Sequence, residues 1–313
     1  MEIIMPKKES LCIILAVYNG EDYLSEQISS ILQNSYQDFC LHIYDDCSTD
    51  GTKEIIDKWT ETHPEQIIYH KNRRNKGVIQ NFLQALEELE ADYYMLCDQD
   101  DFWLKNKIKD TLRFMQDLED RARKMPAAVF GDAKVVDENL NVLAESFQKQ
   151  GRLHAEKTDL PHLLMENKLL GCTIMLNHAL KEKLGTFPPQ IRMHDWWIGL
   201  VASAFGTIGF LDEPLLLYRQ HGKNIVGNSS QKNYIKNRIS HLEKQRESLY
   251  RTCSQAEAFF EIYYEELSKE QRALLHAFAT LPEQNWFIRR YRILSYGFFK
   301  SGFIRNLGVL LLI

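Results

Sequence analysis

The sequence lacks several features that would place the chain in other classes of protein. Its six cysteines include no C-x-x-C pair, which argues against a metal or redox motif of that kind and favours reduced thiols. The N-terminus does not show the basic, apolar and small regions of a signal peptide, and no apolar run reaches the ~20 residues of a membrane-spanning helix. We therefore expect a protein that stays in the cytoplasm.

Two further absences narrow the function. Lys and Arg total 38 against 43 for Asp and Glu, so the net charge of -5 gives no reason to expect a nucleic-acid partner. The loop AVYNGED after the first apolar run contains one glycine, whereas a dinucleotide dehydrogenase needs G-x-G-x-x-G there. A sugar nucleotidyltransferase would likewise need a glycine-rich, basic loop near its N-terminus.

What the sequence does contain is an alternation of strands and helices. The apolar run LCIILAV is followed by a segment with helical periodicity around Ile28 and Ile31, and the pattern recurs up to YYMLC at residues 93–97. At 313 residues and 44% hydrophobic, the chain can bury a full core. This α/β pattern predicts a doubly wound parallel sheet, whose ligands bind at the carboxyl ends of the strands.

The pattern changes after residue 125. We predict two strands around a turn at 137–139, a strand at 171–176, a helix that begins near His194 and a strand at 215–220. These elements complete a predicted catalytic domain, residues 1–228.

The remaining residues, 229–313, are predicted to form a helical C-terminal region. Apolar residues recur there at alternating steps of three and four, broken only at Arg246: Ile235, Ile239, Leu242, Leu249, Cys253, Ala256 and Phe260. This heptad-like spacing is typical of a helical hairpin or a short coiled coil, and it predicts a homo-oligomer formed through these helices.

Two acidic clusters follow predicted strands. DDCSTDGT, residues 45–52, is explained either by capping of the next helix or by a carboxylate that accepts a hydrogen bond from a ligand, such as a pyrimidine imide N–H. DQDD, residues 98–101, is explained either by a cap on a helix that starts at Phe102 or by a hard divalent cation held by carboxylates and substrate phosphates. The sequence motif alone leaves both alternatives open.

The set of motifs is more specific than any one of them. AVYNGEDYL, DDCSTDGT, NRRNKGVIQNF, DQDDFW, HDWW and YRQHGKN follow one another in an order and spacing that resemble glycosyltransferase family 2. Within this family, residues 9–227 are most similar to bacterial rhamnosyltransferases of cell-wall and surface polysaccharide synthesis. The resemblance implies a GT-A (Rossmann-like) nucleotide-sugar-binding domain with a C-terminal helical extension, a nucleotide-sugar donor, a divalent metal (Mg or Mn) and inversion at the anomeric carbon.

The resemblance also implies roles for individual residues. It places Val17, Tyr18 and Asp46 around the pyrimidine with Asp45 beside them, Asp98 at the ribose, Asn75 and Gly77 along the donor, and Asp100, Asp101 and His221 at the metal. His221 would otherwise be a structural histidine. The family pattern has glycine where this chain has Cys47, which puts the geometry of that loop in question.

HDWW, residues 194–197, is the motif that bears on mechanism. An inverting transfer needs a base for the acceptor hydroxyl, and Asp195 is the candidate. His194, Trp196, Trp197 and Arg219 are predicted to lie at the acceptor, since aromatic faces stack on sugars. The alternatives are a helix N-cap at Asp195, tryptophans in the core and a surface ion pair at Arg219.

The segment 286–313 contains five Lys and Arg residues, no Asp or Glu, and many aromatic residues. This composition suits either an interfacial helix on an anionic bilayer or packing against the rest of the chain. An interfacial helix would place the enzyme at the inner face of the cell membrane, near a lipid-linked acceptor.

The sequence therefore predicts an inverting, metal-dependent glycosyltransferase that moves L-rhamnose from dTDP-rhamnose to a growing saccharide or lipid-linked saccharide. Two alternatives stay open. One is a family 2 transferase that uses another nucleotide sugar, such as UDP-glucose or UDP-galactose. The other is a catalytically silent partner of the same fold in a polysaccharide assembly complex.

Overall fold

The structure is a computed structural model that describes residues 9–122, 125–185, 187–221 and 242–312. The chain divides into two compact units. The first consists of Met1–Phe147, Leu169–Gly185 and Phe205–His221, and the second of Gln148–Lys168, Thr186–Ala204 and Gly222–Ile313. Segments 148–168 and 186–204 of the predicted catalytic domain thus group with the C-terminal helices, while the predicted boundary at residue 228 lies outside the described residues.

A nine-stranded mixed sheet runs through the first unit. Its strands are β1 (Glu9–Val17), β2 (Cys40–Asp45), β3 (Ile67–Lys71), β4 (Ala91–Asp98), β5 (Phe102–Trp103), β6 (Ala127–Val136), β7 (Val142–Ala144), β8 (Met175–Asn177) and β9 (Thr207–Arg219). They lie in the order β3-β2-β1-β4-β8-β6-β9-β5, and β7 pairs with β6. The first four are parallel, β8 is antiparallel to β4 and β6, and β5 is antiparallel to β9.

Twelve α-helices are present in the described residues. They are α1 (Leu24–Leu32), α2 (Thr52–Thr62), α3 (Val78–Glu88), α4 (Lys107–Ala122), α5 (Phe147–Gly151), α6 (Leu160–Met165), α7 (His178–Leu184), α8 (His194–Phe205), α9 (Leu242–Tyr263), α10 (Lys269–Ala279), α11 (Trp286–Tyr296) and α12 (Phe303–Leu312). We find none, among the residues described, whose length and apolar content would let it span a bilayer.

The core of the first unit forms where the apolar faces of sheet and helices meet. Ile13 and Leu15 of β1 pack with Ile28 and Ile31 of α1, and all four are fully buried. The predicted helical periodicity of this segment is confirmed. The prediction of a parallel sheet is right for β1 to β4, and β6 and β9 also pair in parallel. It is wrong for β5, β7 and β8, which run antiparallel to their neighbours.

The segment after the DQDD motif corrects a second prediction. Phe102 and Trp103 form a strand and not the start of a helix, since they pair with Leu217 and Leu216 of β9. The backbone N–H of Leu104 continues this pairing, and α4 begins only at Lys107. The acidic residues 98–101 therefore do not cap a helix.

The second unit has a core of its own, formed largely by aromatic residues. The ring of Trp197 lies edge-on to Phe259 at a centroid distance of 5.3 Å, and Phe259 packs on Tyr263 at 4.6 Å. On α9, Cys253 and Ala256 are buried, so this part of the predicted heptad seam is covered within the chain.

The burial of Cys253 and Ala256 does not decide the role of the other residues in the predicted seam. Ile235 and Ile239 lie outside the described residues, as does the side chain of Leu242, and Leu249 is half-buried. A homo-oligomer through these helices stays a prediction.

A close approach at the start of β9 generates a test of the fold. A Cβ at Gly206 would lie 1.8 Å from the carbonyl oxygen of Pro126, which accepts a hydrogen bond from the Thr207 N–H. Gly206→Ala should lower the free energy of unfolding by about 1–3 kcal/mol, because a rigid backbone has to shift. Urea denaturation checks this, with the exposed helix substitution Asp120→Ala as a control that should change stability by less than about 0.5 kcal/mol. Equal stability of the two variants would contradict the packing described.

Candidate active site

Three predicted donor-binding segments meet at one edge of the sheet. In the register of the strands, Val17 at the end of β1 lies beside Asp45 of β2, and Ala16 lies beside Asp98 of β4. Since the three strands are parallel neighbours, their carboxyl ends and the loops that follow share this edge. This is where open α/β sheets bind ligands.

Gln99 joins two of these loops. Its side-chain Oε1 accepts a hydrogen bond from the Tyr18 N–H at 2.8 Å, and its Nε2 donates to the Tyr18 carbonyl at 3.1 Å. The loop after β1 is also held by Asn19, whose N–H donates to Ser48 and whose Oδ1 accepts from the Thr49 N–H. The ring of Tyr18 stays 48% exposed and is available to a ligand. The role of Gln99 could not be predicted from the sequence, because the D-x-D motif does not specify its middle residue.

Asp45 is buried and stabilises the loop after β2. Its Oδ1 accepts from the Ser48 N–H at 2.8 Å and its Oδ2 accepts from the Tyr69 hydroxyl at 2.8 Å. Asp45 does not cap α2, which begins after Gly51. The capping alternative applies instead to Asp50 of the same motif, whose Oδ1 accepts from the Thr52 N–H at 3.1 Å.

Asp46 is buried and fixes the loop between β3 and α3. Its carboxylate accepts hydrogen bonds from the Asn72 amide and from the backbone N–H groups of Lys76 and Gly77. Asn75 is exposed, and its Oδ1 accepts from the Gly77 N–H at 3.1 Å. The structure thus places the predicted donor residues Asp46, Asn75 and Gly77 together. Both carboxylate oxygens of Asp46 bind this loop, and no simple sequence motif predicts that role.

Cys47 has a left-handed backbone conformation with φ of 68°. Residues other than glycine and asparagine rarely adopt this region, because their Cβ crowds the backbone. The position where the family pattern has glycine is therefore one where the backbone conformation favours glycine. The cysteine retains the loop geometry at a cost in strain.

Asp98 and Asp101 lie together at the end of β4. Their carboxylate oxygens and the Sγ of Cys172 are all within 4.8 Å of one another. Asp101 is completely buried, and neither of its oxygens has a conventional hydrogen-bond partner among the described residues. Burial raises the pKa of Asp101 well above its usual value, and the charges of Asp100 and Asp98 raise it further. A carboxylate pair of this kind, with Asp101 buried and Asp98 half-buried, fits a hard divalent cation.

Asp100 pairs with His221. The Nε2 of His221 lies 2.7 Å from the Oδ2 of Asp100, and the imidazole stacks on the ring of Tyr23 at 5.1 Å. The side chain of Asp100 is 17% exposed and that of His221 is 8% exposed. The three predicted metal ligands thus lie in two groups, Asp101 with Asp98 and Asp100 with His221.

Arg219 positions this second group. Its Nε donates to the Asp100 carbonyl at 2.9 Å, its other nitrogens bond to the Glu138 carbonyl and the Glu26 carboxylate, and its guanidinium lies over Tyr23. The side chain is 2% exposed. The predicted contact of Arg219 with an acceptor is therefore wrong for this structure, as is a simple surface ion pair.

A buried lysine near the carboxylates was missed in the sequence. The Nζ of Lys107 donates to the Cys172 carbonyl at 3.0 Å and lies 4.5 Å from the centre of the Trp103 ring. Burial lowers its pKa to about 8, although the nearby Asp101 acts in the opposite direction. Lys107 sits on the inner face of α4, where periodicity predicts an apolar residue.

A basic pocket of about 520 Å³ opens at the loop between β3 and α3. Four of its six lining residues are cations: it is lined by Lys71, Asn72, Arg73, Arg74, Lys76 and Gln84. Within the described residues, none of the four cations forms an ion pair. Their positive potential favours an anionic ligand at the same edge of the sheet as the carboxylates.

The HDWW motif forms the first turn of α8 in the second unit, so the predicted helix start at His194 is confirmed. All four residues are buried, and burial lowers the pKa of His194 to about 3, which keeps its imidazole neutral. The Trp196 N–H of the backbone donates to the Asp195 Oδ1 at 2.7 Å, and the Trp196 indole donates to the Leu163 carbonyl at 2.6 Å.

The acceptor role predicted for the two tryptophans is not supported by this packing. Trp197 has no exposed surface and Trp196 is 8% exposed, so neither ring offers a face for a sugar. Both are core residues of the second unit, as the alternative proposed. The periodicity of α8 could not reveal this, because the residues that cover Trp197 come from α9.

Part of the chain is similar to a known protein family. Residues 12–157 match the family described as glycosyl transferase family 2. The dTDP-rhamnosyl transferase RfbG of Shigella flexneri is 28% identical over 228 residues, which cover 68% of this chain and 73% of that protein. The predicted family resemblance is confirmed.

Solved structures confirm the predicted GT-A fold. S. aureus TarS 1-349 in complex with UDP-GlcNAc matches with a TM-score of 0.58 at 18% identity, over 91% of this chain and 73% of that one. The mannosyltransferase PcManGT from Pyrobaculum calidifontis, in complex with GDP-Man and Mn2+, matches with a TM-score of 0.56 at 17% identity, over 98% and 79% of the two chains.

The conformation of Cys47 generates a prediction. Cys47→Gly should change the free energy of unfolding by less than about 1 kcal/mol, because relief of strain offsets the extra entropy of glycine in the unfolded chain. Cys47→Val should lower it by about 1–2 kcal/mol, since a β-branched residue fits this region worst. Thermal melts of the two variants check the order, and a valine variant as stable as the glycine variant would contradict the assigned backbone.

Proposed function

We propose that this chain, whose residues 12–157 belong to glycosyl transferase family 2, is an inverting, metal-dependent glycosyltransferase. The observation that carries the proposal is the cluster of Asp98, Asp100, Asp101 and His221 at one edge of the sheet. The loops after β1 and β2 begin at the same edge. A nucleotide sugar needs a base pocket and a diphosphate site side by side. We assign both the base pocket and the diphosphate site to this edge of the sheet.

The carboxylates fit a divalent cation. Asp101 is buried with no conventional hydrogen-bond partner for its oxygens among the described residues, and Asp100 with His221 forms a partly exposed pair that offers oxygen and nitrogen, a set suited to Mn²⁺ as well as Mg²⁺. We infer that Asp100 and His221 hold the cation on the side of the donor and that Asp101 supports it from within. When bound, the cation neutralises the diphosphate and stabilises its departure.

The protein side of the donor site is formed by the three loops. Tyr18, held through its backbone by Gln99, presents an exposed ring to the base, while Asp46 holds Asn75 and Gly77 along the donor. The cations of the basic pocket raise the local concentration of a nucleoside diphosphate. Because these groups are fixed before the donor arrives, they orient it without a further ordering cost.

We propose dTDP-rhamnose as the donor, on the basis of the name of the Shigella relative at 28% identity. The second candidate is a UDP-sugar, which the TarS structure in complex with UDP-GlcNAc favours. Both donors contain a pyrimidine base, so both require the same kind of base pocket in the loops after β1 and β2. The acceptor we propose is a growing cell-wall or surface polysaccharide, carried on lipid at the inner face of the membrane.

Donor turnover tests the reaction and the metal together. We expect release of nucleoside diphosphate from dTDP-rhamnose in the presence of Mg²⁺ or Mn²⁺, and none in excess chelator. Asp100→Asn should lower turnover by about 10²-fold or more, the scale of losing one preorganised charge at a leaving group. The exposed Asp117→Asn on α4 is the matched control and should leave turnover unchanged.

The outcome discriminates among the candidates. Turnover of a UDP-sugar alone would replace the proposed donor and keep the mechanism, whereas full activity in chelator would eliminate the metal. No turnover across a panel of nucleotide sugars and acceptors, from a protein that melts normally, would favour the catalytically silent partner.

We retain Asp195 as the proposed general base. Its carboxylate is buried at the start of α8 and accepts a hydrogen bond from the backbone N–H of Trp196. Asp195→Asn preserves the shape but cannot take a proton, so sugar transfer should fall by about 10²-fold or more. Donor binding and the melting temperature should stay close to those of the unaltered protein.

The exposed Glu257→Gln on α9 of the same unit is the control, and it should transfer sugar normally. Near-normal transfer by Asp195→Asn would remove Asp195 as the base and leave it with a structural role at the helix start.

A further inference from the structure

The last two helices carry their apolar residues on the outside. On α11 these are Trp286, Phe287, Tyr291 and Leu294, and on α12 they are Phe303, Ile304, Leu307 and Leu311. All eight side chains are 48 to 82% exposed. Their spacing of one, three or four residues puts the members of each set on one side of their helix. An ordinary surface helix has the opposite arrangement.

The inner sides of both helices are already packed within the second unit. Ile293 of α11 and Val309 of α12 are buried. Arg292 donates to the Ala277 carbonyl, and Arg305 forms an ion pair with Glu166 at 2.9 Å. These inner residues therefore provide the packing against the rest of the chain that was one of the two alternatives for this segment. The outer apolar residues remain on the surface.

The charge of this region is of one sign. From residue 284 to the end of the sequence there are five Arg and Lys residues and no Asp or Glu. The guanidinium of Arg290 lies 3.7 Å from the centre of the Trp286 ring, so a cation borders the apolar surface directly. A positive, aromatic surface attracts an anionic partner and repels a second copy of itself.

We propose that the outer faces of α11 and α12 form a lipid-binding surface that rests in the interface of an anionic bilayer. Trp and Tyr have an apolar body and a polar tip, which suits them to the headgroup level, and Phe and Leu enter the acyl boundary. Arg290 and Lys300 attract the anionic headgroups. This surface is independent of the proposed transferase reaction, because it shares no residue with the candidate active site.

Sedimentation of the full chain with vesicles tests the surface. Vesicles of phosphatidylethanolamine and phosphatidylglycerol should carry the protein into the pellet, whereas phosphatidylcholine vesicles should carry much less. Raising the salt concentration should weaken binding, since it screens the attraction between arginines and headgroups. Fluorescence of Trp286 should shift to the blue on binding, and Trp286→Phe should remove that shift.

Paired substitutions locate the surface. Phe287→Ser with Phe303→Ser should reduce vesicle binding at least about tenfold, because each phenylalanine side chain contributes apolar area buried in lipid. The control is Val142→Ser with Leu143→Ser, two exposed apolar residues of β7 in the first unit, which should leave binding unchanged. Donor turnover and thermal melts of both double variants should match the unaltered protein.

Two results would overturn the proposal. One is an absence of binding to anionic vesicles at low salt by a protein that melts normally. The other is a dimer, seen by light scattering without lipid, that Phe287→Ser with Phe303→Ser converts to a monomer. That result would assign the surface to self-association instead.

Discussion

The buried guanidinium of Arg219 is the interaction on which the candidate active site depends. A charge removed from water needs partners in every direction, and this one has the carbonyls of Asp100 and Glu138, the carboxylate of Glu26 and the ring of Tyr23. These partners come from α1, from the loop after β4 and from the turn between β6 and β7. One side chain at the end of β9 thus fixes segments that are distant in sequence, and His221 takes its position two residues later.

The carboxyl edge of β1, β2 and β4, which is the proposed donor edge, uses the same principle with neutral groups and carboxylates. Gln99 binds the backbone of Tyr18, Asn19 binds the loop after β2, and Asp46 binds the loop before α3. Each of these three side chains bonds to a neighbouring loop and not to its own. The loops consequently support one another, which is the arrangement that holds a binding site in place before a ligand arrives.

Local pattern was sufficient for part of this fold. The β1–α1 pair follows from periodicity, and the family resemblance predicted the GT-A fold. Local sequence pattern did not predict the structure where the partner of a residue lies far along the chain. Phe102 and Trp103 became a strand because Leu216 and Leu217 pair with them, and Trp197 became a core residue because Phe259 covers it. Neither partner is visible from the motif itself.

The pairing of β5 with β9 has a consequence for synthesis of the chain. The strands of the donor edge, β1 to β4, are complete once residue 98 has left the ribosome, and their contacts are mutual. Asp100 acquires its supports only when Leu217, Arg219 and His221 have emerged. A nascent chain can therefore assemble the loops after β1 and β2 well before the pair of Asp100 and His221. Domains fold as they are made, so the charged centre is among the last parts of the first unit to become ordered.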